Sequence, residues 1–411
     1  MNPERKVKLL YISNSPTIQH SGQSRVTEAL CNRLCNVYDL RVAGWGYDAG
    51  KHGFPFYIYP DSFTWIRAIE DFKPEVLFLA HDVWRYNPIP VIKQRIPELK
   101  IIGYFTIDGD PLPEQWFPIL RSCDHIIVPS QFGKRVIEER WIERPVSMIP
   151  QGVELKDFFL KESKEEFKKS VDKETIELSE KMKKAPLLHS GRFVVFFAGM
   201  NQTKKNIGAI LDGFVQFAGG KDDVFLYLVL HSHIEEKYGM KVVSDYDITD
   251  LYSWIHESGK FRIISESLSV ERLARFYKTA DVLLSPSIGE GFGLFVTEAM
   301  AAKVIPIITD YSAFVEWPDK RAVFLMPVDA FFRTTWNVRR AIVKPETVAE
   351  ALNKAYRTWK GSPEQWLNMQ ELNQQRVKGY SWDRCFEQVK GIIESVLGND
   401  DFIDCSVRRL T

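Results

Sequence analysis

The chain has 411 residues, of which 45% are hydrophobic and 26% are charged, values typical of a soluble globular protein. Because single hydrophobic cores stop growing at roughly 250–300 residues, this length predicts two domains. Lys and Arg together number 54, as do Asp and Glu, so no net charge attracts nucleic acid, and we do not predict it as a partner.

The N-terminal segment and the cysteines bear on the compartment. The segment MNPERKVKLLYIS has a short basic start, but its apolar part is strand-like and no small-residue cleavage site follows it. No apolar run approaches the roughly 18 residues of a membrane span. Five cysteines without metal-ligand spacing favour free thiols in a reducing compartment. We predict a cytoplasmic protein without a transmembrane segment, and the sequence leaves peripheral membrane contact open.

Short apolar runs alternate with helical patterns from the N-terminus. Residues 7–13 predict a buried strand and residues 22–34 an amphipathic helix. Strands separated by helices predict parallel βαβ units and a doubly wound sheet. Further strands are predicted at residues 38–44, 75–80, 100–108, 124–129 and 145–150.

The character of the chain changes between Lys156 and Lys184. This segment is highly charged and holds few large apolar side chains, which predicts a solvent-exposed helical linker or insertion. The alternation of strands and helices restarts at Arg192. We therefore predict a first α/β domain at residues 1–188, including the linker at about 156–188, and a second at residues 189–411. The last helices, at about 380–398, are predicted to pack back on the first domain.

The stretch SIGEGFGLFVTEAMA, Ser287–Ala301, places two glutamates in different surroundings. Glu290 lies in a glycine-rich turn after a predicted strand, and Glu298 lies inside the helix that follows. Glycines let a ligand approach the backbone, and a helix N-terminus favours phosphate. The two oxygens of Glu298 suit the neighbouring hydroxyls of a ribose, and Glu290 would face the group beyond the phosphates. Taken alone, a tight turn before a surface glutamate explains the pattern equally well.

The full string EGFGLFVTE, with seven residues between its glutamates, carries a family resemblance. It resembles the donor-site motif of retaining glycosyltransferases of the GT-B type, family 4, also called glycosyl transferases group 1. Similar stretches are SGQSRVTEAL, IPQGVELKDF and SVERLARFYKTADVLLSPS. The resemblance implies the GT-B fold, in which two Rossmann-like, doubly wound parallel-sheet domains face a central cleft. It also implies that the first domain binds an acceptor and the second a nucleotide-sugar donor.

The resemblance implies a retaining, metal-independent hexosyltransferase that uses a UDP- or GDP-linked sugar as its substrate and needs no cofactor. The acceptor is not indicated and stays open among glycans, lipids, proteins and small molecules. Two D-x-D triplets occur in the chain, but such triplets arise by chance and predict no metal. The implied roles are ribose binding by Glu298, contact with the donor sugar by Glu290 and the backbone N–H groups of Phe292, Gly293 and Leu294, and close approach to the diphosphate at Gly22.

The chain departs from the family pattern at the diphosphate. The family carries an Arg and a Lys after the first strand of the second domain, where this chain has FAGMNQTKKN. Lys205 matches the Lys, and Met200 stands where the Arg is expected. We predict that Lys205 stabilises the leaving diphosphate, since a metal-free site needs a fixed cation there. Lys204 is a candidate for the missing charge.

A second departure concerns the acceptor. Where the family often has a His after a first-domain strand, this chain offers Asp108 and Asp110, while His81 follows another strand. Asp108 is the best positional match, and its carboxylate would hydrogen-bond the incoming hydroxyl. An ordinary turn or cap aspartate is the competing interpretation.

Two other functions fit parts of the sequence. One is a nucleotide-sugar epimerase or hydrolase on the same fold, and the other is a catalytically weak nucleotide-sugar-binding protein, which the missing Arg makes conceivable. A dinucleotide-dependent dehydrogenase is disfavoured because the first strand is followed by NSPTIQHSG and not by G-x-G-x-x-G.

Overall fold

The computed structural model of the protein describes residues 5–18, 21–182, 187–231, 235–237, 240–242, 259–266 and 268–398. The chain divides into two compact units. The first unit contains the residues up to Gly152, residues 335–338 and the chain from Tyr380 onward. The second unit contains Val153–Thr334 and Arg339–Gly379.

The first unit is built on a seven-stranded sheet in which every pairing between neighbours is parallel. Both faces of this sheet are covered, so its central strands are continuous apolar runs, as in Leu9–Ile12, which is fully buried. The strand order is β3-β2-β1-β4-β5-β6-β7. The strands are β1 (Lys8–Asn14), β2 (Asp39–Trp45), β3 (Tyr57–Ile58), β4 (Val76–Leu79), β5 (Lys100–Tyr104), β6 (His125–Val128) and β7 (Val146–Met148).

The helices of the first unit include one from the far end of the chain. This C-terminal helix packs on α1 and on the sheet, and Arg33 of α1 pairs with Asp383 across that contact at 2.7 Å. The residues at about 380–398 therefore lie in the first unit. The helices are α1 (Gly22–Leu34), α2 (Trp65–Phe72), α3 (Ile89–Arg95), α4 (Phe117–Ser122), α5 (Gln131–Glu138) and the C-terminal helix (Trp382–Leu397), with 3-10 turns at Val83–Tyr86 and Glu114–Trp116.

The second unit is built on a six-stranded sheet that is also parallel throughout. Its strand order is β12-β9-β8-β13-β14-β15, which matches the order 3-2-1-4-5-6 of a Rossmann sheet. The strands of this sheet are β8 (Phe193–Met200), β9 (Val224–His231), β12 (Phe261–Ile264), β13 (Val282–Ser285), β14 (Ile305–Thr309) and β15 (Phe324–Met326).

Helices and two hairpins complete the second unit. The first hairpin is β10 (Glu235–Lys237) with β11 (Met240–Val242), and the second is β16 (Ala330–Arg333) with β17 (Arg339–Ile342). The helices are α6 (Leu155–Phe158), α7 (Lys164–Met182), α8 (Ile207–Ala218), α9 (Val270–Thr279), α10 (Leu294–Ala301), α11 (Pro345–Gly361) and α12 (Pro363–Val377), with 3-10 turns at Thr203–Lys205 and Ala313–Glu316.

Each sheet has one point where the strand order reverses. In the first unit the order reverses between β1 and β4, and in the second it reverses between β8 and β13. Ligands of open α/β sheets bind outside the carboxyl ends of the strands at such a point. The residues that follow β1, β4, β8 and β13 are therefore the first places to look for a site.

The charged segment after Lys156 differs from the prediction of a solvent-exposed linker. Helix α7 buries Lys164, Lys168 and Asp172, which are spaced four residues apart on one face. Lys164 donates to two backbone carbonyls at the end of α9, and Asp172 accepts from the backbone of His189. Helix α7 is thus an integral part of the second unit. The division of the chain falls between Gly152 and Val153, whereas the sequence analysis placed it between residues 188 and 189.

Two other predictions from the sequence concern the cysteines and membrane-spanning helices. Cys31, Cys123 and Cys385 are buried free thiols and Cys35 is a half-buried one, while Cys405 lies outside the described residues. Among the described helices, none combines the length and the apolar composition needed to cross a bilayer.

Lys168 and Asp281 form a buried ion pair at 2.5 Å, and Lys168 also donates to the Arg192 carbonyl. Removing one partner of such a pair leaves an uncompensated charge in the interior. We expect Lys168→Ala to lower the free energy of unfolding by about 3–5 kcal/mol in urea titrations. Lys169→Ala is the control, since Lys169 is exposed on the same helix and should change stability by less than about 0.5 kcal/mol. Equal effects of the two substitutions would contradict a buried pair.

Candidate active site

The loops after β8 and β13 meet at the switch point of the second unit. The backbone N–H of Ile288 donates to the carbonyl of Lys204 at 2.9 Å, which joins the two loops directly. Glu290 follows in the glycine turn, where its N–H donates to the Ser312 hydroxyl at 2.9 Å and its carbonyl accepts from Ala313. The loop after β14 thus holds the backbone of Glu290, and the loop after β8 holds that of Ile288, two residues before it.

Lys205 and Glu290 form an ion pair at this point, with both side chains buried. The ammonium group of Lys205 also lies 4.9 Å from the centre of the Phe295 ring, within the range of a cation–π contact. Burial raises the pKa of Glu290, but the charges of Lys205 and Lys204, with hydrogen bonds from Lys205 and Ser287, outweigh it and lower the pKa overall. Glu290 is therefore held as a carboxylate. The structure brings together two predicted residues that lie 85 positions apart.

The predicted replacement for the missing Arg can be located as well. Met200 is the last residue of β8 and is half-buried. Lys204 is half-buried in the following turn and acts electrostatically on Glu290. Asn206 closes this turn in the left-handed conformation, with φ 54° and ψ 48°. The turn thus presents Lys204 and Lys205 from consecutive positions.

The turn before α10 sets the direction of the first backbone N–H groups of the helix. Gly293 precedes the helix with φ +85°, a conformation that glycine adopts without strain. The Trp317 indole N–H donates to the Phe292 carbonyl at 2.6 Å, which turns the N–H of the same peptide, that of Gly293, the opposite way. Within the described chain, the N–H groups of Phe292, Gly293 and Leu294 donate to no other residue. They are the donors that a helix N-terminus leaves for a ligand.

Glu298 is the fifth residue of α10 and is buried, with 3% of its surface exposed. The interpretation as an exposed surface glutamate is therefore wrong. A carboxylate buried among apolar neighbours needs hydrogen-bond partners or a counter-charge. Glu298 lies one helical turn beyond the N–H groups at the start of α10. Its role in binding a ribose stays a prediction.

Two residues of this site were missed by the sequence analysis. Ser287 helps to lower the pKa of the Glu290 carboxyl, and the Ser312 hydroxyl accepts from the Glu290 N–H. Ser312 has φ 64° and ψ −155°, a region that glycine occupies almost alone and that costs another residue about 1–3 kcal/mol. The rule that sites lie at the carboxyl ends of strands points to Ser312, because it closely follows β14. Its backbone conformation has no signal in the sequence.

The first unit carries the remaining predicted residues at its own carboxyl edge. Gly22 is exposed as the first residue of α1, where the cap residue Ser21 accepts from the Ser24 N–H. Asn14, at the end of β1, donates to the same Ser21 hydroxyl at 3.0 Å. The predicted helix at residues 22–34 is present and is capped by Ser21, while the role of Gly22 at a diphosphate stays a prediction.

His81 and Asp82 follow β4 of the first unit. The Asp82 N–H donates to Nδ1 of His81 at 2.7 Å, so a neutral His81 carries its proton on Nε2. Thr106, in the loop after the neighbouring strand β5, lies 3.4 Å from the Asp82 carboxylate. Asp108 is half-buried two residues further along the same loop. The edge of β4 and β5 thus gathers the acceptor candidates of the sequence, and the role of Asp108 stays a prediction.

No group of three or more His, Cys, Asp or Glu side chains suited to a metal ion occurs among the described residues.

Comparison with known proteins identifies relatives of the segment that contains Glu290 and Glu298. Residues 257–319, which include Glu290 and Glu298, match the model of the family Glycosyl transferases group 1. The lipopolysaccharide 1,2-N-acetylglucosaminetransferase of Salmonella typhimurium is 26% identical over 213 residues, 51% of this chain and 49% of that protein. The chain thus aligns with about half the length of this curated relative.

Solved structures extend the likeness to the whole fold. Sucrose-phosphate synthase from Thermosynechococcus elongatus has a TM-score of 0.70 and 14% identity, covering 96% of this chain and all of that one. Anabaena Alr3699/HepE in complex with UDP and glucose has a TM-score of 0.68 and 12% identity, covering 95% of this chain and all of that one. The fold is GT-B. The resemblance to glycosyl transferases group 1 is confirmed, and the glutamate motif lies inside the matched segment.

The Lys205–Glu290 pair of this GT-B site makes a pH-dependent contribution to stability. Because the pKa of Glu290 is lowered in the folded state, the contribution is present above the unfolded value of about 4.3 and is lost as pH falls through the folded value. We expect the difference in unfolding free energy between the wild type and Glu290→Gln to shrink as the pH falls below about 4.

Urea titrations between pH 6 and pH 3 measure this difference. Glu350→Gln is the control, since Glu350 is exposed on α11 and its substitution should give a difference that changes little with pH. A wild-type advantage over Glu290→Gln that grows on acidification would show that Glu290 is not a stabilised carboxylate.

Proposed function

We propose that the protein is a retaining glycosyltransferase that moves a sugar from a nucleoside diphosphate to an acceptor hydroxyl. The observation that carries the proposal is the convergence of the Lys205–Glu290 pair, three backbone N–H groups and Glu298 at one switch point. Cations and helix N–H groups suit a diphosphate, and a buried carboxylate suits paired hydroxyls. The family match to the same segment supports this reading.

Each group has a distinct task in the proposed reaction. Breaking the bond between the sugar and the phosphate builds negative charge on the leaving diphosphate, and Lys205 stabilises that charge. Lys204 adds a second positive charge nearby. Glu298 holds the ribose hydroxyls, while the N–H groups of the residues 292–294 bind oxygens of the sugar phosphate. These donors are held by the fold before the substrate arrives, so they need no reorganisation during the reaction.

Glu290 acts in this proposal as a binding group and not as a nucleophile. Its carboxylate is engaged by Lys205 and Ser287, and its backbone is fixed on both sides of the residue. A nucleophilic carboxylate needs freedom to attack the anomeric carbon. We therefore favour front-face substitution, in which the leaving phosphate assists deprotonation of the acceptor and the anomeric configuration is retained. Asp108 would hydrogen-bond the incoming hydroxyl.

The proposed donor is a UDP-linked hexose or N-acetylhexosamine, with GDP-linked sugars as the second choice. Support comes from the names of two similar proteins, one a structure with UDP and glucose and the other an N-acetylglucosaminetransferase. The proposed chemistry draws its positive charge from lysines and backbone N–H groups, so we propose a metal-independent reaction without a cofactor. We also retain the proposal of a cytoplasmic location.

The stereochemistry tests the proposed mechanism. We expect turnover of a UDP- or GDP-sugar to release the nucleoside diphosphate and to give a product with the donor's anomeric configuration, read by NMR. Release without an acceptor would favour a hydrolase, and binding without release would favour a nucleotide-sugar-binding protein. An inverted product would overturn the mechanism.

Glu298→Ala tests the donor seat. Removing a charged acceptor of two ribose hydrogen bonds should weaken binding of the nucleoside diphosphate by about 1.5–3 kcal/mol in calorimetric titrations. Glu350→Ala, an exposed glutamate of α11, is the control and should bind normally. Unchanged affinity in a folded Glu298→Ala variant would refute the ribose assignment.

Lys205→Ala tests the leaving-group assignment. A fixed cation stabilises the transition state more than the bound donor, so turnover should fall by about 10²-fold or more while donor affinity falls less. Met200 carries no charge to share this task, which makes the loss larger than for one member of an Arg–Lys pair. Lys204→Ala gives the comparison: equal damage would mean that the two lysines share the role. Near-normal turnover of Lys205→Ala would exclude it from leaving-group stabilisation.

A further inference from the structure

The first unit contains an arginine that lies over two indole rings. Arg85 lies in the 3-10 turn that follows β4. Its guanidinium carbon lies 4.6 Å from the centre of the Trp45 ring and 4.8 Å from that of Trp84. Such contacts fix the orientation of the planar guanidinium group without using its N–H donors.

The donors of Arg85 are not used inside the described part of the chain. Its Nε is buried and has no hydrogen-bond partner there, and the guanidinium makes no ion pair with a described residue. The nearest acidic side chain in sequence, Asp82, contacts His81 and Thr106. Most buried polar groups of native proteins are satisfied, so an arginine held in place with its donors unused calls for an explanation.

Indole surface surrounds this arginine. Trp84 and Trp336 are 38% and 41% exposed, and their ring centres lie 5.9 Å apart in an edge-to-face contact. Trp116 packs on Trp336 at 5.7 Å, and its buried indole N–H likewise has no partner among the described residues. Two large half-exposed aromatic rings side by side form a platform on which the C–H faces of sugar rings can pack.

The position of the cluster connects it with ligand binding. Trp45 ends β2, and Arg85 follows β4, so both lie at the carboxyl edge of the sheet on either side of β1. His81, the acceptor candidate after β4, contacts Trp45 edge-to-face at 5.7 Å. The cluster is therefore continuous with the edge where an acceptor is expected.

We propose that this cluster binds the acceptor, and that the acceptor is a glycan carrying a carboxylate or phosphate. Arg85 pairs with the anionic group through its guanidinium fork, while Trp84 and Trp336 stack against the sugar rings. Arginine suits this task better than lysine because its fork matches both oxyanions in a bidentate manner. The acceptor role rests on the proposed glycosyltransferase function, whereas binding of an anionic glycan does not.

Direct binding measurements separate the contribution of the anionic group from that of the sugar rings. The probes are tetragalacturonate, its methyl ester, which keeps the rings and loses the charge, and a mannopentaose phosphate, all titrated calorimetrically at one salt concentration. The wild type should bind the acid or the phosphate at least 10-fold more tightly than the ester, and the two anions identify which oxyanion is preferred. Equal binding of all three, or no binding, would overturn the proposal.

Variants assign the effect to residues. Arg85→Gln should reduce binding of the anionic probe to the level of the ester, and Arg85→Lys should fall between the two because it keeps charge and loses the fork. Trp336→Ala should weaken binding of the acid and binding of the ester by the same factor. The control is Arg121→Gln, since Arg121 also lies over an aromatic ring of the first unit but is exposed on α4.

The outcome for Arg85 decides the proposal. If Arg85→Gln and Arg121→Gln weaken binding of the anionic probe equally, the effect comes from the overall charge of the protein, and the proposal is overturned. If a thermal melt shows that Arg85→Gln is unfolded, the affinity of Arg85→Lys for the anionic probe tests the role of Arg85 instead. A thermal shift of the wild type with UDP or GDP tests the donor site separately, so its absence counts against the glycosyltransferase function and not against the glycan site.

Discussion

The ion pair between Lys205 and Glu290 is the constraint on which the candidate site depends. Each charge alone would be costly in the interior, and their pairing allows both to be buried at the edge of the second sheet. The pair also ties the loop after β8 to the loop after β13, a link repeated by the backbone bond from Ile288 to Lys204. Ser312 fixes the Glu290 backbone from the third loop, in a conformation unfavourable for serine. The strained backbone of Ser312 thus accompanies a fixed position of the Glu290 carboxylate.

The same pair would be used differently during turnover. In the proposed reaction a bound diphosphate would share Lys205 with Glu290, and the energy of the existing pair would oppose a full transfer of the lysine to phosphate. A site whose charges are paired before the ligand arrives also avoids the cost of an isolated buried lysine. This links stability to binding: substitutions that strengthen the pair would fix Lys205 more firmly while opposing its transfer to phosphate.

The sequence predicted most of what depends on local pattern. Buried parallel strands such as β1 and β13 are apolar runs, and the glutamate motif stands in one continuous stretch. It did not predict the buried face of α7, because Lys168 and Asp172 look like surface charges until their partners Asp281 and His189 are known. For the same reason the boundary was placed after α7. The φ angle of Ser312 and the contact of Arg85 with Trp45 depend on residues distant in the chain, so the local sequence does not reveal them.

The absence of an arginine at Met200 fits this electrostatic arrangement. An arginine there would add a second permanent cation beside Lys205, and Glu290 could not neutralise both in a buried site. The structure instead supplies positive potential from Lys204, which is only half-buried and so is solvated at little cost, and from the N-terminus of α10. Backbone N–H groups carry partial charge without a desolvation penalty comparable to that of an ion. Under the proposed function, one buried lysine, one half-buried lysine and a helix start would bind the diphosphate. Lys205 differs from Lys204 in being buried and in donating to the Glu290 carboxylate, so in the proposed site it is the cation with the more fixed position.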